Sequence, residues 1–191
     1  MLTVLVIDES RGRTEEICAG LALAGCQVAA ILAGADRLTA EVERRQPDVI
    51  LIDTDSPGRD TLENLAALHR EMPRPVVVFT REDGRETIRD ALRAGVSAYV
   101  VDDFDPRRIK SVVDVACARF EDMQALRREL DEVSRKLSDR KLVDQAKGVL
   151  MKARGLDEGA AYHAMRKLAM ERGQTMAKVA RDVIDMARVL L

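Results

Sequence analysis

Two stretches of the sequence indicate the fold class most clearly: LTVLVIDE at residues 2–9 and VILIDTD at residues 49–55. Each is a short run of apolar, largely β-branched residues that ends in carboxylates. Similar apolar runs occupy residues 26–32, 76–79 and 98–101, with helix-like segments between them. Short apolar strands that alternate with helices are typical of a parallel sheet covered on both faces. We therefore predict a doubly wound α/β domain with five parallel strands.

Polar side chains follow the predicted strands at their carboxyl ends, where doubly wound sheets bind ligands. Asp8 and Glu9 follow the first strand, Asp53 ends the third and Thr80 ends the fourth. Each one alone is more often just the start of a solvated loop. Clustered carboxylates repel one another unless a hard cation such as Mg²⁺ lies among them. Asp8, Glu9 and Asp53 are therefore a candidate acidic pocket for Mg²⁺, although no cofactor is required.

Composition limits the class of protein. Apolar residues make up 47% of the 191 residues, so a real core is expected, but aromatic residues make up only 3%. Cys18, Cys26 and Cys117 form no CxxC pair, which argues against a zinc site or a disulfide framework. No apolar run reaches the roughly 18 residues of a membrane span, and Met1 leads directly into a strand without a signal-peptide pattern. We expect a soluble, cytoplasmic protein without a membrane partner.

The segment after the fifth strand predicts a long helix. Pro106 suits a first helical turn, and no Gly or Pro follows until Gly148. Apolar residues recur there at spacings of four and three, namely Ile109, Val113, Ala116, Phe120, Met123, Leu130 and Leu137. This heptad seam predicts a dimeric coiled coil over residues 106–138, weakened by the polar residues Arg127 and Ser134. A single helix packed back on the first domain is the alternative.

The last part of the chain, residues 139–191, predicts a small basic three-helix domain. Its segments are 139–153, 157–172 and 175–191, with Ser138 or Asp139 as the first cap and stops at Gly155 and Gly173. Each segment has one apolar stripe. Lys and Arg outnumber Asp and Glu there by eleven to seven, whereas the remainder is acidic, with 20 against 26. The predicted domains are thus 1–105, 106–138 and 139–191, with the last one suited to a polyanion.

Charge and helical period alone leave the polyanion open. A helix-turn-helix DNA reader needs polar residues at the start of its recognition helix, and the third segment offers only Gln174 and Thr175. RNA recognition by stacking needs exposed aromatic rings, and only Tyr162 and His163 are available. The residues by themselves therefore predict phosphate contact by helices. A solvated basic face and an acidic protein partner remain alternatives.

The first hundred residues resemble the receiver domain of two-component response regulators, which implies a CheY-like fold. The motifs that carry the resemblance are LVIDE at 5–9, ILIDTDSPGRD at 50–60, FT at 79–80 and GVSAYVV at 95–101. The resemblance implies that Asp53 is the phospho-acceptor. It also implies that Thr80 and Tyr99 are the switch residues.

The chain departs from the receiver pattern after the fifth strand. Asp102 and Asp103 stand where receivers carry a Lys-Pro pair. The lysine of the family pairs with the phosphoryl group, so a carboxylate places negative charge where a dianion needs a cation. We therefore include Asp102 among the switch residues and favour a pseudo-receiver that is controlled by protein contact over phosphorylation of Asp53.

The C-terminal segments resemble the ANTAR domain, a three-helix RNA-binding module of transcription antiterminators. The motifs are QAKGVLM at 145–151, Ala-Tyr at 161–162 and MRKLAM at 165–170. We predict RNA contact by Arg140, Lys147, Gly148, Lys152 and Arg166. Lys147 and Lys152 lie about 140° apart on a helix, so one of them is expected to serve packing or a salt bridge.

Three residues of the ANTAR-like motifs have uncertain roles from the sequence, namely Gly148, Met151 and Tyr162. Gly148 inside a helix costs about 1 kcal/mol relative to Ala, which close approach of RNA or of another helix would explain. Met151 and Tyr162 are expected in the core more than in contact with RNA.

Within this family the chain most resembles the nitrate and nitrite assimilation regulators of the NasT type, and the aliphatic amidase regulator is the sister group. The resemblance implies a regulator without enzymatic activity that acts on leader-mRNA hairpins as a homodimer. It also implies a nitrate- or nitrite-sensing co-regulator that sequesters the protein until its ligand arrives. The alternatives are a phosphorylation-activated regulator with acceptor Asp53 and an amidase-type antiterminator.

Overall fold

The computed structural model describes residues 1–10, 12–101 and 105–190, and the side chains of residues 189 and 190 are not part of that description. The chain divides into two compact units, Met1–Gln124 and Ala125–Leu191. Asp102, a predicted switch residue, lies outside the described residues.

The first unit contains the predicted five-stranded parallel sheet. Its strands are β1 Thr3–Asp8, β2 Gln27–Leu32, β3 Val49–Asp53, β4 Val76–Thr80 and β5 Ala98–Val101. They lie in the order β2-β1-β3-β4-β5, and all four pairs are parallel. The strand order reverses beside β1, so the carboxyl ends of β1 and β3 meet at the point where ligands bind in such sheets. The doubly wound, CheY-like fold is confirmed.

Helices cover both faces of this sheet. They are α1 Thr14–Leu23, α2 Leu38–Arg45, α3 Arg59–Glu71 and α4 Arg85–Arg93, followed by a 3-10 turn at Pro106–Arg108 and by α5 Ile109–Arg154. Alternate residues of one strand point to opposite faces. Leu5 therefore packs in the core under α2, α3 and α4, while its neighbour Val4 packs in the core under α1 and the start of α5.

The beginning of α5 belongs to the core of the first unit. Ile109, Val113 and Ala116 are at most 1% exposed and pack against the sheet beside Ile17 and Leu21 of α1. The heptad pattern assigned these three residues to a coiled-coil seam, and that assignment is wrong. A stripe of apolar residues on one side of a helix is expected both in a coiled coil and in a helix that packs on a sheet. Periodicity therefore could not distinguish these two kinds of packing.

The second unit is built from the later part of α5 together with α6 Glu158–Arg172 and α7 Met176–Leu190. Asp157 caps α6 by accepting a hydrogen bond from the Ala160 N–H at 2.7 Å, and Gly173 ends it with φ at 60°. Small residues let the three helices approach closely. The buried core consists of Ala146, Met165, Ala169, Val179, Ala180, Val183 and Ile184.

The predicted helix start at Ser138 or Asp139 is wrong, because α5 continues without a break for 46 residues. No Gly or Pro interrupts the chain between Pro106 and Gly148. Asp139 is only half-buried and Ser138 is exposed, so both side chains tolerate a helix interior without a cap. A favourable cap residue therefore does not start a helix where the preceding backbone is already helical.

Two helical glycines predict opposite changes in stability. A Cβ on Gly20 of α1 would lie 2.5 Å from Ile109 Cδ1 and 2.9 Å from Pro106 Cα, whereas a Cβ on Gly148 meets nothing within 4 Å among the described residues. We expect Gly20→Ala to destabilise the first unit by about 1–3 kcal/mol through overpacking. Gly148→Ala should stabilise the second unit by up to about 1 kcal/mol through helix propensity.

Urea unfolding followed by circular dichroism measures both changes, and hydrogen exchange assigns each one to its unit. Equal stabilisation by the two substitutions would contradict the close packing of α1 on the turn at Pro106.

Candidate functional site

The carboxyl edge of the sheet brings together three of the predicted receiver residues. Asp8 pairs in register with Asp53 across β1 and β3, and Thr80 ends the neighbouring strand β4. These side chains are 3%, 0% and 0% exposed, respectively. The edge is therefore a buried polar site and not a solvated loop end.

The Asp53 carboxylate is held by a cation from its own chain. Arg13, at the start of α1, donates from Nη2 to Oδ1 at 2.7 Å and from Nε to Oδ2 at 3.2 Å. The Ser10 hydroxyl donates to Asp53 Oδ2 at 2.7 Å and lies 3.0 Å from Asp8 Oδ1, and the Thr14 hydroxyl donates to Asp8. A two-point guanidinium–carboxylate pair is among the strongest polar contacts in proteins. Asp53 is thus compensated within the fold.

Sequence reasoning missed Arg13. One available signal was its position five residues after Asp8, in a short loop between a strand and a helix, because such a loop stays at the sheet edge. That signal gives proximity only. The choice of Asp53 as the partner of Arg13 depends on the side-chain conformation.

The acidic pocket does not assemble as a Mg²⁺ site. Glu9 points elsewhere and accepts a hydrogen bond from the Thr61 hydroxyl of α3 at 2.9 Å. The oxygens of Asp53 are engaged by Arg13 and Ser10. Across residues 1–10, 12–101 and 105–190, no three His, Cys, Asp or Glu side chains are grouped to hold a metal. The residues present therefore do not fit the cation that the carboxylate cluster suggested.

The two described switch residues both contact the loops around β4. Thr80 donates from its hydroxyl to the Asp55 carbonyl at 2.9 Å, and the same hydroxyl accepts from the Glu82 N–H at 3.1 Å. Tyr99 donates its hydroxyl to the Glu82 carbonyl at 3.0 Å, and burial raises the pKa of this phenol. Thr80 and Tyr99 therefore hold the segment before α4 through the same residue, Glu82.

The predicted RNA-contact residues of the second unit fall into two groups. Lys147 Nζ lies 2.7 Å from Asp144 Oδ1 and 2.7 Å from Glu158 Oε1, so it ties α5 to the start of α6. These hydrogen bonds raise the pKa of Lys147 and lower that of Asp144. Arg140, Lys152 and Arg166 are exposed and form no ion pair within the described part of the chain. All three are therefore available to an external anion.

The positions of three further residues were predicted from the ANTAR-like motifs, namely Gly148, Met151 and Tyr162. Packing within the unit does not require a glycine at 148, because the space around its Cβ position is open among the described residues. Met151 and Tyr162 are 39% and 41% exposed, so their expected place in the core is wrong. Both side chains lie outside the buried cluster, which is formed by residues such as Ala146, Met165 and Ala169.

Family models match both units. Residues 4–114 match the response regulator receiver domain, and residues 131–184 match the ANTAR domain. The chain belongs to the response regulators, with a receiver domain followed by an ANTAR domain. No helix among the described residues has the length and apolarity to cross a membrane.

Relatives of this response regulator support the same assignment. The transcriptional regulatory protein PdtaR of Mycobacterium tuberculosis is 32% identical over 143 residues, which cover 75% of this chain and 70% of that protein. The nitrate regulatory protein of Klebsiella oxytoca is 33% identical over 75 residues, or 39% of this chain and 19% of its own. A CheY-like receiver from Methanospirillum hungatei shares the fold, with a TM-score of 0.56 and 22% identity over 64% of this chain and 98% of that one.

The pair between Arg13 and Asp53 predicts a large loss of stability when it is broken. Arg13→Ala leaves a fully buried carboxylate without its cation, so we expect the first unit to lose about 3–5 kcal/mol of unfolding free energy. The matched control is Arg59→Ala, whose ion pair with Glu63 is largely exposed and should change stability by less than about 1 kcal/mol. Urea unfolding measures both, and adding Asp53→Asn to Arg13→Ala should restore part of the loss. Similar small effects of the two arginine substitutions would show that Arg13 does not compensate Asp53.

Proposed function

We propose that this response regulator is a transcription antitermination factor whose ANTAR unit binds hairpins of a leader mRNA. Binding would favour an antiterminator hairpin over a terminator, so that RNA polymerase reads through into the downstream genes. The observation that carries the proposal is the match of residues 131–184 to the ANTAR domain, in a unit that leaves Arg140, Lys152 and Arg166 exposed. We assign it a regulatory role without catalysis, in the cytoplasm where transcripts are made.

The proposed targets are genes of nitrate or nitrite assimilation. The support is the resemblance to regulators of the NasT type and the similarity to the nitrate regulatory protein of Klebsiella oxytoca. That similarity covers 19% of the Klebsiella protein, so it supports a related module more than a shared sensor. An amidase-type antiterminator is the alternative, and comparing nitrate and amidase leader RNAs in one binding assay separates the two.

We further propose that a partner protein, one that senses nitrate or nitrite, controls the chain through its receiver. The support is the state of the receiver edge, where Arg13 and Ser10 already engage Asp53 and Glu9 is turned toward Thr61. The second candidate is a regulator activated by phosphorylation of Asp53, as the receiver match suggests. Incubation with a small phosphodonor and Mg²⁺ discriminates, because a stable acylphosphate coupled to dimerisation would support the second candidate.

A homodimer is proposed from the exposed apolar seam of α5. Five apolar residues at spacings of three and four are each between 55% and 64% exposed, namely Met123, Leu126, Leu130, Val133 and Leu137. Arg127 and Ser134 interrupt the seam as predicted from the sequence, and the exposed apolar stripe passes beside them through Leu126 and Val133. A stripe of this length left to water is typical of a surface that a partner covers, and its heptad spacing favours a second copy of the helix.

The seam predicts how the oligomeric state responds to charge. Leu130→Glu places a carboxylate in the middle of the seam and should shift a dimer to a monomer. Ala125→Glu adds the same charge about 140° away on the same helix and should leave the dimer intact. Sedimentation velocity over a range of concentrations measures both variants. A monomeric wild-type protein, or equal behaviour of the two variants, would contradict the seam.

RNA binding predicts a defined salt dependence. We expect the wild-type protein to shift a two-hairpin leader RNA in a gel, and to lose that binding when the hairpin loops are mutated. The logarithm of the association constant should fall linearly with the logarithm of the salt concentration. Lys152→Ala and Arg166→Ala should each weaken binding and reduce the slope by about 0.7–0.9. Arg59→Ala in the first unit is the control and should change neither quantity. Absence of loop-dependent binding by the wild type would rule out the antiterminator.

A further inference from the structure

The second unit contains an open cleft beside the core of its three helices. Its volume is about 440 Å³. It is lined by Arg140 and Lys147 of α5, by Tyr162 of α6, by Thr175 just before α7 and by Met176 at the start of α7. Ligand clefts of about 300–1,000 Å³ are usual in proteins. The cleft is therefore large enough for a small planar group.

One wall of the cleft is an aromatic ring in a chain that has few of them. Tyr162 is 41% exposed, although aromatic residues are only 3% of the sequence. The neighbouring His163 ring meets it edge-on, with ring centroids 6.2 Å apart and planes inclined at 73°. Tyr162 makes no hydrogen bond within the described residues, so burial of its hydroxyl does not explain its position. The Tyr162 ring therefore lies at the surface, and part of it is accessible from the cleft.

The opposite wall is held in place by ion pairs. Lys147 reaches both Asp144 of α5 and Glu158 of α6 at 2.7 Å, which fixes the two helices that border the cleft. A side chain committed to two carboxylates is not free to follow a ligand. Lys147 is therefore a positioning residue for this cleft and not itself an anion contact.

The cleft offers both donors and acceptors around the ring. The first turn of α7 has backbone N–H groups without acceptors inside the helix, at Met176 and Ala177. The Thr175 hydroxyl accepts from the Lys178 N–H at 3.2 Å and so fixes this turn. The carboxylates of Asp139 and Asp144 offset the charges of Arg140 and Lys147, so the cleft is close to neutral. These properties suit a flat, uncharged group with donors and acceptors on its edge, and they suit a phosphate poorly.

We propose that this cleft receives one unpaired base of the RNA loop, which stacks on Tyr162 and places its polar edge toward Asp144 and the start of α7. The proposal rests on the RNA binding proposed above and makes it specific. Exposed Lys152 and Arg166, which lie outside the cleft, supply attraction that does not depend on sequence, whereas the base cleft supplies the dependence on the loop. Stacking of single-stranded bases on aromatic rings is a common mode of RNA recognition.

The test compares three proteins on a two-hairpin leader RNA and on a set of the same RNA with loop bases replaced one at a time by abasic sites. Tyr162→Leu removes the aromatic face and should weaken binding to the intact RNA roughly ten- to a hundredfold. Tyr162→Phe keeps the face and should bind within a few fold of the wild type. Tyr162 is 41% exposed, so both substitutions should leave the fold intact, which circular dichroism checks.

The decisive result is non-additivity at a single loop position. At the loop position whose base enters the cleft, removing the base should weaken wild-type binding as much as Tyr162→Leu weakens binding to the intact RNA. The Tyr162→Leu variant should bind that abasic RNA almost as well as it binds the intact RNA. With 2-aminopurine at that position, fluorescence should be quenched by the wild type and by Tyr162→Phe, but not by Tyr162→Leu. The salt slope should be the same for all three proteins.

The outcomes separate this inference from the proposed function. Wild-type protein that shows no loop-dependent binding overturns the antiterminator itself. Loop-dependent binding that Tyr162→Leu leaves unchanged, or weakens equally on every abasic RNA, overturns only the base cleft. A loss of dimerisation by Tyr162→Leu with unchanged RNA affinity would assign the cleft to a second copy of the chain.

Discussion

The receiver unit depends on the pair between Arg13 and Asp53. A carboxylate with no exposed surface at the end of a central strand is strongly unfavourable unless a cation and hydrogen-bond donors surround it. Arg13 and Ser10 supply both from the loop that leads into α1, at 2.7 Å each. The same contacts hold that loop on the sheet edge. The polar groups at this edge of the sheet are therefore satisfied by the protein's own side chains.

The second unit separates two kinds of basic residue that look alike in the sequence. Lys147 is engaged by Asp144 and Glu158 and holds α5 against α6, whereas Lys152 and Arg166 remain exposed. An exposed cation gives affinity for any polyanion. A pair of helices held together by ion pairs, such as α5 and α6, gives a surface of defined shape. Specific RNA recognition requires both, since phosphate contacts position a protein and base contacts provide sequence information.

Much of the architecture follows directly from pattern. Apolar runs predicted all five strands. The reason is clearest for β1, β3 and β4, because strands buried on both faces are apolar almost throughout. Glycines at 155 and 173 predicted the ends of α5 and α6, and both adopt positive φ. The pattern failed where one stripe serves two purposes: Ile109 and Val113 pack on the sheet, while Leu126 and Leu130 of the same helix stay exposed.

Sequence pattern alone predicted the succession of strands and helices along the chain, the acidic residues at the sheet edge and the basic end of the chain. These features follow from local periodicity, from Gly and Pro at the ends of elements and from charge counts, and none of them depends on distant contacts. The folded structure was needed to show that Arg13 pairs with Asp53, that Glu9 accepts from Thr61 and that Tyr162 borders an open cleft. Each of these depends on side-chain direction and on which distant backbone lies nearby. Close packing sets those properties for the whole unit at once.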